Sequence, residues 1–438
     1  MSEDVAARLL RGDAALFEGP TAQHALGWLT HPERYLGGWL EETADRLPRR
    51  HARTVLLGMG GSSSPARLYA EARPSSDLVV LDTSHPDTIA ATPFDDATVV
   101  AASKSGSTVE TQTLLAHALS RGLEPRDLVV VTDPGTSLAE LATSLGAVLV
   151  LGDPDTGGRF SALSPFGLVP ALLAGWTPAQ LRDELAPCAL TPELVEGARD
   201  AAQSALSRVR DGWAFYDLGA DPIVDGGALW LEQLLAETTG KAGRGLVPLA
   251  GTGAGAVEPA QIQHWHLTAA IVARGLGVDP FNQPDVDGAT REVFALLSHD
   301  RGWRVAPVDL AATRDALASP SYNVIQAFAP LDAGAQLVRV RERAEEVYGV
   351  TTANLGPRYL HSTGQLHKGG PPGVAAVQVL VRPRSAPQRI MGRHYSFHDL
   401  LLAQARSDLL AMRSSGRDVT HLVVDELAEA AGLLALAP

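Results

Sequence analysis

Cysteine is all but missing from this 438-residue chain: Cys188 stands alone. That excludes an internal disulfide and any cysteine-based metal cluster. Cys188 lies in an Ala/Leu-rich stretch that reads as helix, where a buried, inert thiol is expected rather than a nucleophile. Long apolar runs are lacking too. No stretch of about 18 apolar residues occurs, so no membrane span is expected. The opening MSEDVAARLLRGD reads as an acidic-capped amphipathic helix without the apolar core of a signal peptide, which makes the cytoplasm the expected location. The third shortage is of clustered positive charge. The 36 Lys and Arg are scattered among 50 Asp and Glu, for a formal charge of -14, and this argues against a nucleic-acid partner. A negatively charged ligand must therefore be captured locally, by loops and individual basic residues, which suits a small phosphate ester better than a polyanion.

What is present is a pattern of alternation. The apolar share of 45% with 20% charged residues is ordinary for a globular protein, and the length predicts two domains sharing a cleft. Short β-branched runs at 54–57, 78–82, 98–102, 128–132 and 148–151 alternate with helical patterns at 65–71, 109–121 and 137–145, the signature of a doubly wound parallel sheet. From 178 to 210 the pattern turns helical, and a second α/β region starts near 213–216. Its later strands are expected at 324–328, 337–341 and 374–381, with a helix over 397–413, an ordered loop at 364–373 and a surface loop at 382–388. The expected division is a helical segment over 1–50, an α/β domain over 51–177 and a second over 178–438.

Two of the predicted strands end in loops of one kind. GMGGSSSP, from Gly58, follows the first run, and SKSGSTVET, Ser103 to Thr111, follows the third. A buried strand that ends in a Ser/Thr/Gly loop and opens into a helix presents free backbone N–H groups and hydroxyls at a helix N-terminus, which is an anion site. Each loop alone is equally readable as ordinary helix capping. Two on one sheet point to a phosphorylated small molecule at the carboxyl ends of the strands.

Further blocks follow in order: TGGRFSALSPFGLVPALLAG from Thr156, AETTGK from Ala236, DPFNQPDV from Asp279 and LGPRYLHSTGQLHKGGP from Leu355. With the two loops, they resemble the phosphoglucose isomerase family. The last block is similar to the tail of the isomerase half in fused transaldolase and phosphoglucose isomerase chains. The resemblance implies two sugar-isomerase domains, Rossmann-like α/β/α sandwiches with parallel sheets. It also implies reversible isomerisation of glucose 6-phosphate and fructose 6-phosphate through a cis-enediol, with no cofactor and no metal. It is compatible with a homodimer or with association with pentose-phosphate enzymes. A phosphosugar-binding module without catalysis, or an isomerase for a related sugar such as mannose 6-phosphate, are the competing readings.

Residue by residue, the resemblance makes Glu237 the base that moves a proton between adjacent carbons, a task one carboxylate can perform if it reaches both. Gln233 lies one helical turn earlier on the same face, as a substrate-orienting amide would. Arg159, after Gly157 and Gly158, matches the cation that stabilises the enediolate. Ser103, Lys104, Ser105, Ser107 and Thr108, with Gly61 and Ser62 of the first loop and Gly158, are the expected substrate and phosphate contacts. Glu110 is equally readable as a site acid or as first-turn helix chemistry. There are two departures. The ring-opening histidine that the resemblance implies between the glutamate block and the following helix has no match in the short, Gly/Ala-rich stretch from Gly251 to Gln263. Where the family carries a lysine seven residues after the glutamine of the DPFNQ block, this chain has Thr290, with Arg291 next to it. Ring opening is therefore expected to have moved to Arg291 or to the tail residues His361, His367 and Lys368. His264 and His266 sit in no site motif and are expected on the surface or in the core of a helix over 259–273. His361 and His367 lack the spacing of a zinc site.

Overall fold

The runs that alternate with helical patterns form parallel strands, because both faces of each strand are covered by a helix and can be apolar throughout. In the computed structural model, which describes residues 4–17, 19–48, 51–73, 77–251, 257–286, 292–293, 295–297, 315, 317 and 321–435, the first five strands are β1 (Arg53–Leu57), β2 (Asp77–Leu81), β3 (Ala97–Ala102), β4 (Leu128–Thr132) and β5 (Val148–Leu151). They make one parallel sheet in the order β2-β1-β3-β4-β5. Leu56, Val100, Val129 and Val131 face one hydrophobic core. Val55, Leu57, Val99 and Val130 face another.

The order matters for function. The chain leaves β1 to build β2 on one side and then returns past it to build β3 on the other, so the connections diverge between β1 and β3. A crevice opens at the carboxyl ends of two such strands. The loops that follow β1 and β3 are the two Ser/Thr/Gly loops.

The second half is also α/β. Strands β6 (Trp213–Asp217) and β7 (Gly245–Leu249) pair in parallel, and β8 (Tyr322–Phe328), β9 (Thr351–Gly356), β10 (Val374–Val381) and β11 (Asp418–Val424) form a third parallel sheet in the order β11-β10-β8-β9. Counted from β8, this is the winding of the first sheet less its last strand. Between the sheets lies the helix Gly226–Thr239, with every residue buried.

Several expectations are corrected here. The run 337–341 is not a strand. It lies in the helix Gly334–Tyr348, whose buried Leu337, Val340 and Ala344 recur at helical spacing. The ordered loop expected at 364–373 contains the helix Gly364–Gly369, whereas the helical stretch 178–210 is helical as read, in two helices, Pro178–Leu185 and Pro192–Ser207, parted by a 3-10 turn at Ala186–Cys188. Strands β7, β9 and β11 went unread. Leu56, fully buried at the centre of the first sheet, gauges the core: Leu56→Ala should cost about 2–5 kcal/mol, read as a lower urea midpoint at unchanged slope.

Candidate functional site

The site is built from five segments at the strand ends. The loop after β1 and the turn Gly158–Phe160 meet backbone to backbone: a Cβ added at Gly61 would lie 2.0 Å from the Gly158 carbonyl oxygen. Only glycine permits that approach. The contact is locked by Ser161, whose hydroxyl bonds to the carbonyl oxygens of Gly61 at 2.9 Å and Gly158 at 2.6 Å.

The loop after β3 turns at Gly106, which has φ +66°, and enters the helix Val109–Ser120. Its hydroxyls first satisfy one another. Ser107 donates to Ser105 Oγ at 2.9 Å, and Ser103 Oγ lies 2.9 Å from Thr108 Oγ1. Ser103 is buried beneath the loop and does not line the cavity described below, so its role is to hold Thr108. Lys104 forms an ion pair with Asp133. Burial pushes the Asp133 carboxyl above the usual carboxylate value against the pull of Lys104.

Gln233 and Glu237 stand one turn apart on the buried helix. The Gln233 amide is fixed at both ends: its Oε1 accepts from the Ser64 hydroxyl at 2.6 Å, and its Nε2 donates to Glu237 Oε2 at 3.2 Å and to the His361 carbonyl at 3.1 Å. Arg159, 5% exposed, spreads its guanidinium over the carbonyl oxygens of Glu237 (2.5 Å), Pro280 (3.1 Å) and Asn282 (3.2 Å) and over Gln283 Oε1 (3.1 Å). Its Nη2 is 3.3 Å from Glu237 Oε1.

The tail block supplies His361 from the turn Arg358–His361. Its Nε2 lies 2.9 Å from Glu110 Oε1, which also accepts from the Gln404 amide at 2.6 Å. Burial opposes a charge on this ring, but the Glu110 carboxylate outweighs it, helped by Glu237, and holds His361 above the ordinary histidine value. Burial would likewise raise Glu110, yet His361 and Gln404 keep its carboxyl below the ordinary range. Glu110 thus belongs with His361 rather than with the helix end.

These segments enclose a cavity of about 600 Å³. Gly61, Ser62, Lys104, Ser105, Ser107, Thr108, Gly158, Arg159, Gln233, Glu237 and His361 all line it. Arg291 and Thr290 lie outside the described residues. His266 is enclosed by Trp28, Phe160 and Trp230, and burial drives its pKa well below the usual value. His367, beside Gln326, is also buried. Sequence reasoning missed Asp133, Gln283, Gln404 and Asp408, which also line the cavity. Gln404 and Asp408, four apart on the apolar face of the helix Phe397–Ser414, carried a usable signal: polar residues at buried helical spacing.

No protein-family model matches the chain. A glucose-6-phosphate isomerase of Acaryochloris marina is 31% identical over 218 residues, 44% of this chain and 40% of that protein. One of Rubrobacter xylanophilus is 36% identical over 166 residues, 34% of this chain and 38% of that protein. The chain resembles glucose-6-phosphate isomerases. The matches span about two fifths of the length of these isomerases. Among solved structures, a glucose-6-phosphate isomerase of Chlamydia trachomatis aligns over 98% of this chain and 71% of that one, at 17% identity and a TM-score of 0.39.

The charge coupling between Glu110 and His361 is testable. The raised His361 value contributes stability below the ordinary histidine pKa and loses it as pH rises through the raised one. The lowered Glu110 value contributes above the ordinary carboxylate pKa and loses it as pH falls through the lowered one. The pair is therefore strongest between those limits. In Glu110→Gln the His361 ring should deprotonate at lower pH than in the parent, followed by imidazole NMR. An unchanged midpoint would show that Glu110 does not hold the proton.

Proposed function

We propose that the protein interconverts glucose 6-phosphate and fructose 6-phosphate. The observation that carries this reading is the convergence on one cavity of a hydroxyl-rich loop at a helix N-terminus, a carboxylate held by an amide, and a histidine backed by a second carboxylate. In this reading Ser105, Ser107 and Thr108, with Lys104, Ser62 and the backbone at Gly61, take the phosphate dianion, and Gly158 leaves room for the sugar. Ser103 supports them through Thr108.

Ring opening needs the anomeric hydroxyl to lose a proton and the ring oxygen to gain one. His361 carries this exchange, its charged form supported by Glu110. Glu237 then takes the proton from C2, leaving a cis-enediolate whose negative charge lies on oxygen; the hydroxyl proton passes from O2 to O1, and Glu237 returns the carbon-derived proton to C1, so that the carbonyl moves from C1 to C2. Gln233 fixes the carboxylate that does so. Arg159, already saturated by protein acceptors, acts by its field and by anchoring Glu237. Arg291 is a candidate for the same ring-opening step. The residues 51–177 and 178–438 are proposed as the two units flanking the cavity, and the enzyme as cytoplasmic.

Two measurements test the reading. Glu237→Gln keeps size and hydrogen bonding but removes basicity, so kcat in a dehydrogenase-coupled assay should fall by about 10²–10⁴ with KM little changed; near-normal turnover would remove Glu237 from the chemistry. Ser105→Ala with Thr108→Ala should weaken binding of a phosphorylated sugar acid by about 1–3 kcal/mol, measured by calorimetry, and unchanged affinity would move the phosphate elsewhere.

A further inference from the structure

One cation in the cavity wall has no part in the mechanism above. Lys368 lies in the helix Gly364–Gly369 and is 4% exposed, yet it borders the cavity. Its Nζ is 2.6 Å from Asp408 Oδ1 and 3.4 Å from the Gly364 carbonyl oxygen. An ammonium carries three N–H donors, so two contacts leave one for the cavity. Asp408 is itself immobilised: its Oδ2 accepts from the Tyr359 hydroxyl at 2.7 Å and from the Gln378 amide at 3.3 Å. A further contact continues this chain. Gln378 Oε1 can only accept, so His421, 2.7 Å away, must present Nδ1–H to it.

This is costly construction for mere cohesion. Removing two charges from water usually offsets what their pairing returns, and an apolar pair of similar volume would hold the helices as well. The pair instead opens on the cavity, close enough for the Lys368 charge to act on the His361 ring.

We infer that Lys368 is a catalytic residue of the proposed isomerisation, donating a hydrogen bond to the substrate oxygen that becomes negative in the enediolate, with Asp408, Tyr359 and Gln378 as its positioning residues. The inference rests on the isomerase reading for its substrate. No proton changes owner in this role: Glu237 holds the carbon-derived proton while the Lys368 N–H faces the oxygen.

The test compares two ligands by calorimetry. A five-carbon aldonic acid phosphate places a carboxylate where the enediolate charge develops, and a six-carbon polyol phosphate carries the same phosphate with a neutral head. Lys368→Met should weaken the acid by about tenfold or more and the polyol by less than about twofold, since only the charged head meets the ammonium. Lys368→Arg should recover part of the loss. Lys368→Met leaves Asp408 unpaired, so the double variant Lys368→Met/Asp408→Asn, which removes both buried charges, guards against a folding defect and should show the same selective loss. Asp408→Asn alone should lower kcat more than it raises KM. Equal weakening of both ligands, or full affinity for the acid in the double variant, overturns the assignment. Turnover of glucose 6-phosphate by the unmodified protein tests the isomerase reading separately: no turnover with the selective loss intact would sink that reading while keeping Lys368 as the residue that meets the anionic head.

Discussion

The wall of the cavity around Glu237 is hung on the buried guanidinium of Arg159. Glu237 sits in the last turn of its helix, where carbonyl oxygens have no partner within the helix and the dipole is negative. A carboxylate there is unfavourable unless a cation answers both. Arg159 does so, bonding the Glu237 carbonyl and standing beside its side chain. The same group ties down the segment from Pro280 to Gln283. Lys241, from the block that carries Glu237, caps that segment from the other side through the Asp279 carbonyl, and burial together with the Arg159 charge pushes the lysine down to about 6. Three stretches far apart in sequence thereby share one electrostatic anchor.

Charge in the cavity is organised in pairs. Lys104 faces Asp133, Arg159 faces Glu237, His361 faces Glu110 and Lys368 faces Asp408. A chain with a formal charge of -14 presents a polar interior in which each of these cations already has its counter-charge. In the function proposed above, an arriving phosphate competes with Asp133 for Lys104 and relies for the rest on neutral hydroxyls and backbone N–H groups. This keeps long-range electrostatic attraction modest and makes recognition a matter of short, directed bonds.

The first sheet was readable almost strand for strand because its strands are covered on both faces, and a doubly covered strand shows as an unbroken β-branched run. In the second half, β7 carries Gly245 and Pro248 and β9 ends in Asn354-Leu355-Gly356, so composition hid them. The helix Gly334–Tyr348 alternates Val338 and Val340 with Arg339 and Arg341 and imitates a strand over five residues. Most of the cavity was legible because each loop is a contiguous motif. The partnerships within it were not: Glu110 with His361, Gln233 with Ser64, and Lys368 with Asp408 join segments 251, 169 and 40 residues apart, and no local pattern encodes which motif faces which. Arg159 was matched through its GGRFS block, but the carbonyl oxygens that its guanidinium binds follow only from folding.

The contact between Gly61 and Gly158 has a consequence for how such a site can vary. Gly61 has no room for a side chain because the Gly158 carbonyl is its wall, and Ser161 bonds to both carbonyls, so the strand-end loop and the arginine-bearing turn form a single mechanical part divided between two places in the chain. Grafting either one from a distant relative would import half of a contact. Chimaeras of this protein should exchange 58–63 and 156–161 together, and drift in one loop is tolerated only as far as the backbone of the other can follow.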